Sequence, residues 1–101
     1  MKIAIAHQND ILTVTLEGVL DYTSSNQMES LIGDLKVIKS SRVVFDLAKV
    51  PRVDSVGLGM LHLAKDTILE HGATMVLSGA VGNVQRLFEL TDSSQSFEIQ
   101  K

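Results

Sequence analysis

A short segment in the middle of the chain holds the residues best suited to chemistry. It reads DLAKVPRVDSVGLG from residue 46 to residue 59 and is predicted to form a strand end, a tight loop and the first turn of a helix. Ser55 is predicted to be the N-cap of that helix, its hydroxyl accepting from the backbone N–H of Gly57 or Leu58. A phosphate there would add roughly −1.5 to −2 charges where helix N–H groups already favour an anion. Ser55 is therefore either a capping residue or a phosphorylation site.

Charged residues around Ser55 extend this candidate site. Arg52 is either a partner for a phosphate or for an acidic surface of another protein, or a solvated loop cation. Asp21, Asp46 and Asp54 follow three predicted strand ends and could converge near Ser55, where a carboxylate would orient the hydroxyl or a kinase-bound metal. The alternative for these aspartates is hydrogen bonding within their own loops.

The helix that begins near Ser55 is predicted to have a buried stripe and one exposed apolar position. At about 100° per residue, five side chains share one core-facing stripe: Gly57, Met60, Leu61, Ala64 and Ile68. Leu58 falls roughly 100° away from that stripe, near His62 and Leu69. Leu58 is therefore a candidate contact with a partner protein, and burial under the loop of Asp21 or under an adjoining strand is an equal alternative.

The elements that must position this segment can be predicted along the chain. Ile3 to Leu16 predicts an antiparallel hairpin. A helix is predicted to start at a capping box of Ser24 and Gln27, with its apolar positions at Met28, Leu31, Ile32, Leu35 and Ile38. Residues 43–47 predict a central strand that is covered on both faces.

The second half of the chain continues the alternation of helices and strands. The helix from about Ser55 to His71 is predicted to end at Gly72, followed by a strand from Thr74 to Leu77. The apolar positions Val84, Leu87 and Phe88 predict a third helix. Phe97 and Ile99 predict a terminal edge strand. The predicted fold is α/β, with a mixed sheet of about four to five strands packed against helices.

Composition restricts the function classes. The 101 residues are 45% hydrophobic and 21% charged, with a net charge of −3 and no cysteine. These values predict one globular domain over residues 1–101, without a basic surface for nucleic acid and without disulfides. No apolar run reaches the roughly 18 residues of a membrane span and no leader is evident, so we expect a cytoplasmic protein that does not insert into a membrane.

Catalytic and cofactor motifs are not found in the sequence. Gly57 and Gly59 lack the third glycine of a dinucleotide loop, and Ser55 lacks the Gly-x-Ser-x-Gly elbow of hydrolases. The three histidines, His7, His62 and His71, do not have metal-ligand spacing. The sequence therefore predicts a protein that is not an enzyme and needs no cofactor or metal.

Several segments resemble the STAS domain of bacterial anti-sigma-factor antagonists. Residues 54–59, Asp-Ser-Val-Gly-Leu-Gly, are similar to that family's Asp-Ser-Ser/Thr-Gly-Leu-Gly loop, and residues 18–21 are similar to its Gly-Glu-Leu-Asp segment. The resemblance continues through residues 44–47, 72–77 and 84–90 and so covers nearly the whole chain. Two positions differ, since Val56 replaces a second hydroxyl residue and Arg52 stands where the family usually has an apolar or aromatic residue.

The resemblance implies a switch. In that family a serine kinase of the histidine-kinase-like ATPase fold phosphorylates the serine after the aspartate, and a metal-dependent serine phosphatase reverses it. The unphosphorylated form binds the kinase, or anti-sigma factor. Carried over, Ser55 is the phosphorylation site, and the partner surface comprises Asp21, Arg52, Asp54, Val56, Gly57, Leu58 and His62. Outputs in such proteins include sigma factors and biofilm or motility programmes.

Two other functions are compatible with parts of this pattern. A cytosolic STAS subunit that braces the ATPase of a lipid-transporting ABC complex would need no phosphorylation, although such members usually carry a threonine-containing loop. An aspartate-phosphorylated receiver would need adjacent acidic residues after its first strand and a late lysine, and the sequence offers neither.

Overall fold

The computed structural model describes residues 1–91 and 97–100, which form an α/β fold as predicted. Its strands are β1 (Lys2–Gln8), β2 (Ile11–Glu17), β3 (Arg42–Lys49), β4 (Thr74–Ser78) and β5 (Glu98–Gln100). Its helices are α1 (Ser25–Leu35), α2 (Ser55–Glu70) and α3 (Gly82–Leu90), with a 3₁₀ turn at Tyr22–Ser24. The five strands form one mixed sheet with the order β1-β2-β3-β4-β5, which confirms the predicted fold class.

The sheet begins with the predicted hairpin and continues in parallel. β1 and β2 are antiparallel and are joined by a turn in which Asn9 has a φ of 57°, a left-handed conformation that asparagine tolerates well. The pairs β2–β3, β3–β4 and β4–β5 are all parallel, so helices must carry the chain back between them. Because parallel connections are right-handed and all proceed in one direction here, the helices lie on one face of the sheet.

The hydrophobic core lies between that face and the helices. Inward side chains of the three central strands are buried, and they are Leu12, Val14, Leu16, Val43, Phe45, Leu47, Met75 and Leu77. Residues of all three helices, such as Met28, Leu61 and Phe88, join the same cluster. Val44, which points to the other face, is only half-buried, so the prediction that β3 is covered on both faces is wrong.

The start of α1 differs from its prediction. Ser24 is the N-cap residue, but its side chain makes no capping bond, and its hydroxyl donates instead to the Val19 carbonyl at 2.8 Å. Gln27 donates to the Met1 carbonyl at 2.7 Å. The predicted capping box is therefore wrong, because both side chains bind distant backbone groups. The helix also ends at Leu35, before Ile38.

α2 agrees closely with its prediction. It spans Ser55–Glu70 and ends just before Gly72, whose φ of 78° is the left-handed conformation expected after a helix. The predicted core stripe is buried as expected, at Gly57, Met60, Leu61, Ala64 and Ile68. Within residues 1–91 and 97–100, none of the helices combines the length and apolar character that crossing a membrane requires.

The turn of the β1–β2 hairpin is tied to the beginning of β3. The Asp10 carboxylate accepts from the Ser41 backbone N–H at 3.1 Å and from the Ser41 hydroxyl. These two hydrogen bonds lower the pKa of Asp10, because they favour its ionised form. The contact fixes where the hairpin lies relative to the strand that leads into the candidate site.

Candidate functional site

The candidate site is built on two loops that extend the β2–β3 pairing beyond the strand ends. The Gly18 N–H donates to the backbone carbonyl of Lys49 at 3.1 Å, and the Leu20 N–H donates to the backbone carbonyl of Arg52 at 2.9 Å. The Leu20 carbonyl in turn accepts from the Asp54 N–H at 3.3 Å. Backbone hydrogen bonds therefore hold the loop that precedes α2 against the loop that precedes the 3₁₀ turn.

Asp54, rather than Ser55, caps α2. The Asp54 backbone is extended, with φ −100° and ψ −174°, and its side chain accepts from the Gly57 N–H at 2.8 Å. The prediction that Ser55 is the N-cap is wrong by one residue. The physical reason is the pairing of Asp54 with Leu20, which keeps Asp54 extended and makes Ser55 the first helical residue.

The hydroxyl of Ser55 is consequently free for other chemistry. Ser55 is exposed, and within the described residues its side chain makes no hydrogen bond. It lies in the first turn of a helix of 16 residues, where the positive end of the helix dipole favours an anionic group. The local geometry therefore presents a nucleophilic hydroxyl to solvent from a rigid position.

Gly57 allows α2 to approach the neighbouring loop closely. It is buried, and a Cβ atom placed on it would lie 2.1 Å from the carbonyl oxygen of Leu20. That distance is far below any ordinary contact, so no larger residue fits without a shift of the backbone. The glycine thus fixes the position of the first turn, and of Ser55 within it, relative to residues 18–21.

Asp21 and Arg52 belong to the two paired loops, one to each. An Arg52 guanidinium nitrogen is 3.9 Å from the Asp21 carboxylate, which also accepts from the Thr23 N–H at 2.9 Å. The hydrogen bond from the Thr23 hydroxyl is the main cause that lowers the pKa of Asp21, and the charge of Arg52 adds to it. The Arg52 side chain is 67% exposed, so this ion pair is weak and leaves the guanidinium accessible to another anion.

Asp46 has a different environment. Its carboxylate accepts from the Ala48 N–H at 3.0 Å and approaches the position of a Cβ on Gly79 within 3.1 Å, at the end of β4. Asp46 lies within β3 and not after the strand end as predicted, so this hydrogen bond is made inside the strand. Of the three aspartates predicted to converge, Asp21 and Asp54 belong to the paired loops, and Asp46 is directed toward β4.

Of the exposed apolar side chains on α2 and on the adjoining 3₁₀ turn, Val56 belongs to the predicted partner surface, whereas Leu63 and Tyr22 do not. Leu58 is half-buried and packs against the core. Val56 is 45% exposed and Leu63 59% exposed, and their spacing of seven residues places them on one face of α2. Tyr22, in the 3₁₀ turn that contacts α2, is 72% exposed. Sequence reasoning missed Leu63 and Tyr22, although the spacing from Val56 was a usable signal for Leu63.

His62 packs against a residue from the far end of the chain. Its ring centroid is 4.5 Å from that of Phe97, the two rings are inclined at 42°, and the Lys65 ammonium lies 5.5 Å from the Phe97 ring centre. His62 therefore helps to hold the residue that precedes β5 against α2. A role for His62 in binding a partner stays a prediction.

Loss of the Asp54 cap has a measurable consequence. We expect Asp54→Ala to lower the free energy of unfolding by about 1 kcal/mol, because the Gly57 N–H would lose its side-chain acceptor. Asp54→Asn is the matched control, since its amide oxygen can accept the same bond and should retain most of the stability. Urea unfolding of the two variants tests this, and equal losses in both would contradict the capping role.

Comparisons with known proteins agree with this architecture. A family model described as the STAS domain matches residues 2–101. A putative anti-sigma factor antagonist from Thermotoga maritima has a TM-score of 0.87 at 18% identity, over 98% of this chain and 86% of that one. An anti-sigma factor antagonist from Mycobacterium paratuberculosis has 0.85 at 21% identity, over 98% and 84%.

A third solved structure is similar over its length as well. It is the Bacillus cell fate determinant SpoIIAA in its phosphorylated form, with a TM-score of 0.71 at 12% identity, over 99% of this chain and 92% of that one. At such identities, the three structures show the shared fold, and the family model covers nearly every residue. This chain therefore belongs to the STAS-domain family.

Proposed function

We propose that this chain is a non-enzymatic, cytoplasmic partner-switching regulator, with residues 1–101 acting as one STAS domain controlled by phosphorylation of Ser55. The observation that carries the proposal is the Ser55 hydroxyl at the first residue of α2, which is exposed and makes no hydrogen bond to any residue that the structure describes. The unphosphorylated surface around it binds a partner protein, and phosphorylation weakens that binding.

The local structure supports modification without unfolding. Asp54 already supplies the cap of α2, so a phosphate on Ser55 would remove no hydrogen bond from the described part of the fold. A dianionic group in the first helical turn is also favoured by the helix dipole. The modified protein would therefore keep its structure, and the effect of the phosphate would fall on the partner.

The charges around Ser55 support a loss of binding on phosphorylation. Asp21 and Asp54 already place two carboxylates on the paired loops, where Arg52 is the basic residue. A phosphate adds roughly −1.5 to −2 charges next to the exposed apolar side chain of Val56, the following residue. Burying that charge in an interface requires desolvation that an apolar contact does not compensate.

The partner classes follow from the family resemblance. A serine kinase of the histidine-kinase-like ATPase fold, acting also as an anti-sigma factor, would bind the surface formed by the paired loops and the start of α2. A metal-dependent serine phosphatase would restore the hydroxyl. SpoIIAA, whose fold this chain shares, has been solved in a phosphorylated form, which shows that this fold accommodates a phosphoryl group.

The experiment that tests the proposal is mass mapping of the protein isolated from its own cells under several growth conditions. Wild-type protein should carry one phosphate that phosphatase treatment removes and that maps to Ser55. The Ser55→Ala protein should lack it. Absence of phosphate in the wild type under every condition, or its retention in Ser55→Ala, would contradict the switch and favour the transporter-subunit alternative.

A further inference from the structure

The two edge strands of the sheet differ in how well they are protected against pairing with another chain. β1 spans Lys2–Gln8 at one edge, and in the described part of the chain it pairs only with β2. Its seven residues pair without a bulge, all but Ile3 are exposed, and it contains no proline. β5 at the other edge has only three residues, with Glu98 held by Arg42 at 2.5 Å. Long edge strands usually carry a bulge, a proline or several charges that prevent pairing, and β1 has none of these.

A groove lined by both apolar and polar residues runs beside the β1 edge. It lies between β1 and α1, has a volume of about 520 Å³, and its apolar lining consists of Ile5, Leu12, Leu31, Leu35, Val37 and Ile38. Ile5 is 47% exposed and Val37 is 80% exposed. The edge therefore combines unpaired backbone groups with exposed apolar side chains on the helix side of the sheet.

We propose that β1 pairs antiparallel with β1 of a second copy of this chain, and that the two copies form a symmetric dimer. The strand runs from residue 2 to residue 8, so the only register that pairs all seven residues has Ile5 on the two-fold axis. In that register Ile5 faces Ile5 of the second copy, and each Lys2 faces a Gln8.

The self-complementarity of this register favours a second copy as the occupant. Lys2 carries the one formal charge of β1, and its neutral neighbour across the interface avoids like-charge repulsion. Ile3 faces His7 and Ala4 faces Ala6, so each pair joins side chains on the same face of the sheet. Such pairing would bring the grooves of both copies together over the two Ile5 side chains.

This dimer is independent of the proposed switch. β1 is separated from β3 by β2, and the Ser55 loop follows β3. Ile5, at the centre of the proposed pairing, is therefore separated from the Ser55 loop, although Met1, just before β1, lies beside Gly18 of the paired loops. Each copy in the dimer would keep its Ser55 surface open to a partner.

The first test is sedimentation of the purified protein over a wide concentration range. Wild type should show a monomer–dimer equilibrium, and Ile5→Lys should raise its dissociation constant at least about tenfold, because two like charges would face each other on the axis. Mixing Ile5→Lys with Ile5→Glu should restore dimers as heterodimers. Leu90→Lys, at a 74% exposed position on α3, is the control and should behave as wild type.

A second test does not depend on tolerance of a charge in β1. The chain has no cysteine, so Ile5→Cys introduces a single thiol. Under mild oxidation this variant should form disulfide-linked dimers much faster than Leu90→Cys at equal concentration. A wild type that remains monomeric at every concentration, or equal crosslinking of the two cysteine variants, would overturn the proposal.

Discussion

Ser55→Asp should bind its partner roughly 30-fold or more weakly than Ser55→Ala, equivalent to about 2 kcal/mol of binding free energy. The aspartate would place a charge among exposed apolar side chains and beside the carboxylates of Asp21 and Asp54. Both variants should remain folded, because Ser55 makes no hydrogen bond within the described residues and an acidic residue is favoured in the first turn of a helix.

The measurement uses both variants as baits in extract from the protein's own cells, followed by titration of the captured partner with each purified protein. Ser30→Asp is the matched control, because Ser30 is an exposed serine on a different helix, α1. It should bind as wild type. Equal affinity of the partner for Ser55→Ala and Ser55→Asp would remove Ser55 from the interface.

Gly57→Ala should lower the free energy of unfolding by about 1–3 kcal/mol. The added methyl group would lie 2.1 Å from the Leu20 carbonyl oxygen, and backbone atoms cannot move aside as the end of a flexible side chain can. Either the first turn of α2 shifts or the paired loops separate. The gain in helix propensity from glycine to alanine, about 1 kcal/mol, offsets only part of this loss.

Gly59→Ala is an internal control for this prediction. Gly59 belongs to the same helix, and a Cβ placed on it has no neighbour within 4 Å. Its replacement should therefore raise stability by about 0.5–1 kcal/mol, through helix propensity alone. Thermal and urea unfolding of both variants should give changes of opposite sign. A gain in stability for Gly57→Ala would mean that the close approach of α2 to residue 20 is not maintained in solution.

Periodic patterns predicted the fold well. The alternation of residues 12–16 predicted a strand, and the stripe of Gly57, Met60, Leu61, Ala64 and Ile68 predicted the buried face of α2; both are confirmed. These features depend on the repeat of each element, which the sequence displays directly. The predicted position of Gly72 after the helix is confirmed for the same reason, since its conformation is a local property.

Properties that depend on distant contacts were predicted less well. Asp54 and Ser55 are adjacent and both are good capping residues, so the sequence alone does not choose between them. The backbone of Leu20 decides, by keeping Asp54 extended. Likewise, the angle of Leu58 on the helix left burial and a partner contact as equal alternatives, and only the structure shows that it packs against the core. Such outcomes require knowledge of what lies beside the helix.

The agreement between strand order and chain order has a consequence for how the molecule folds. Each strand after β1 pairs with the strand immediately before it in the chain, so no strand must insert between two that are already paired. The N-terminal hairpin can serve as a template, and each helix and following strand can then be added at the growing edge. Chain emerging from the ribosome can therefore acquire native pairing progressively, from the N-terminus onward.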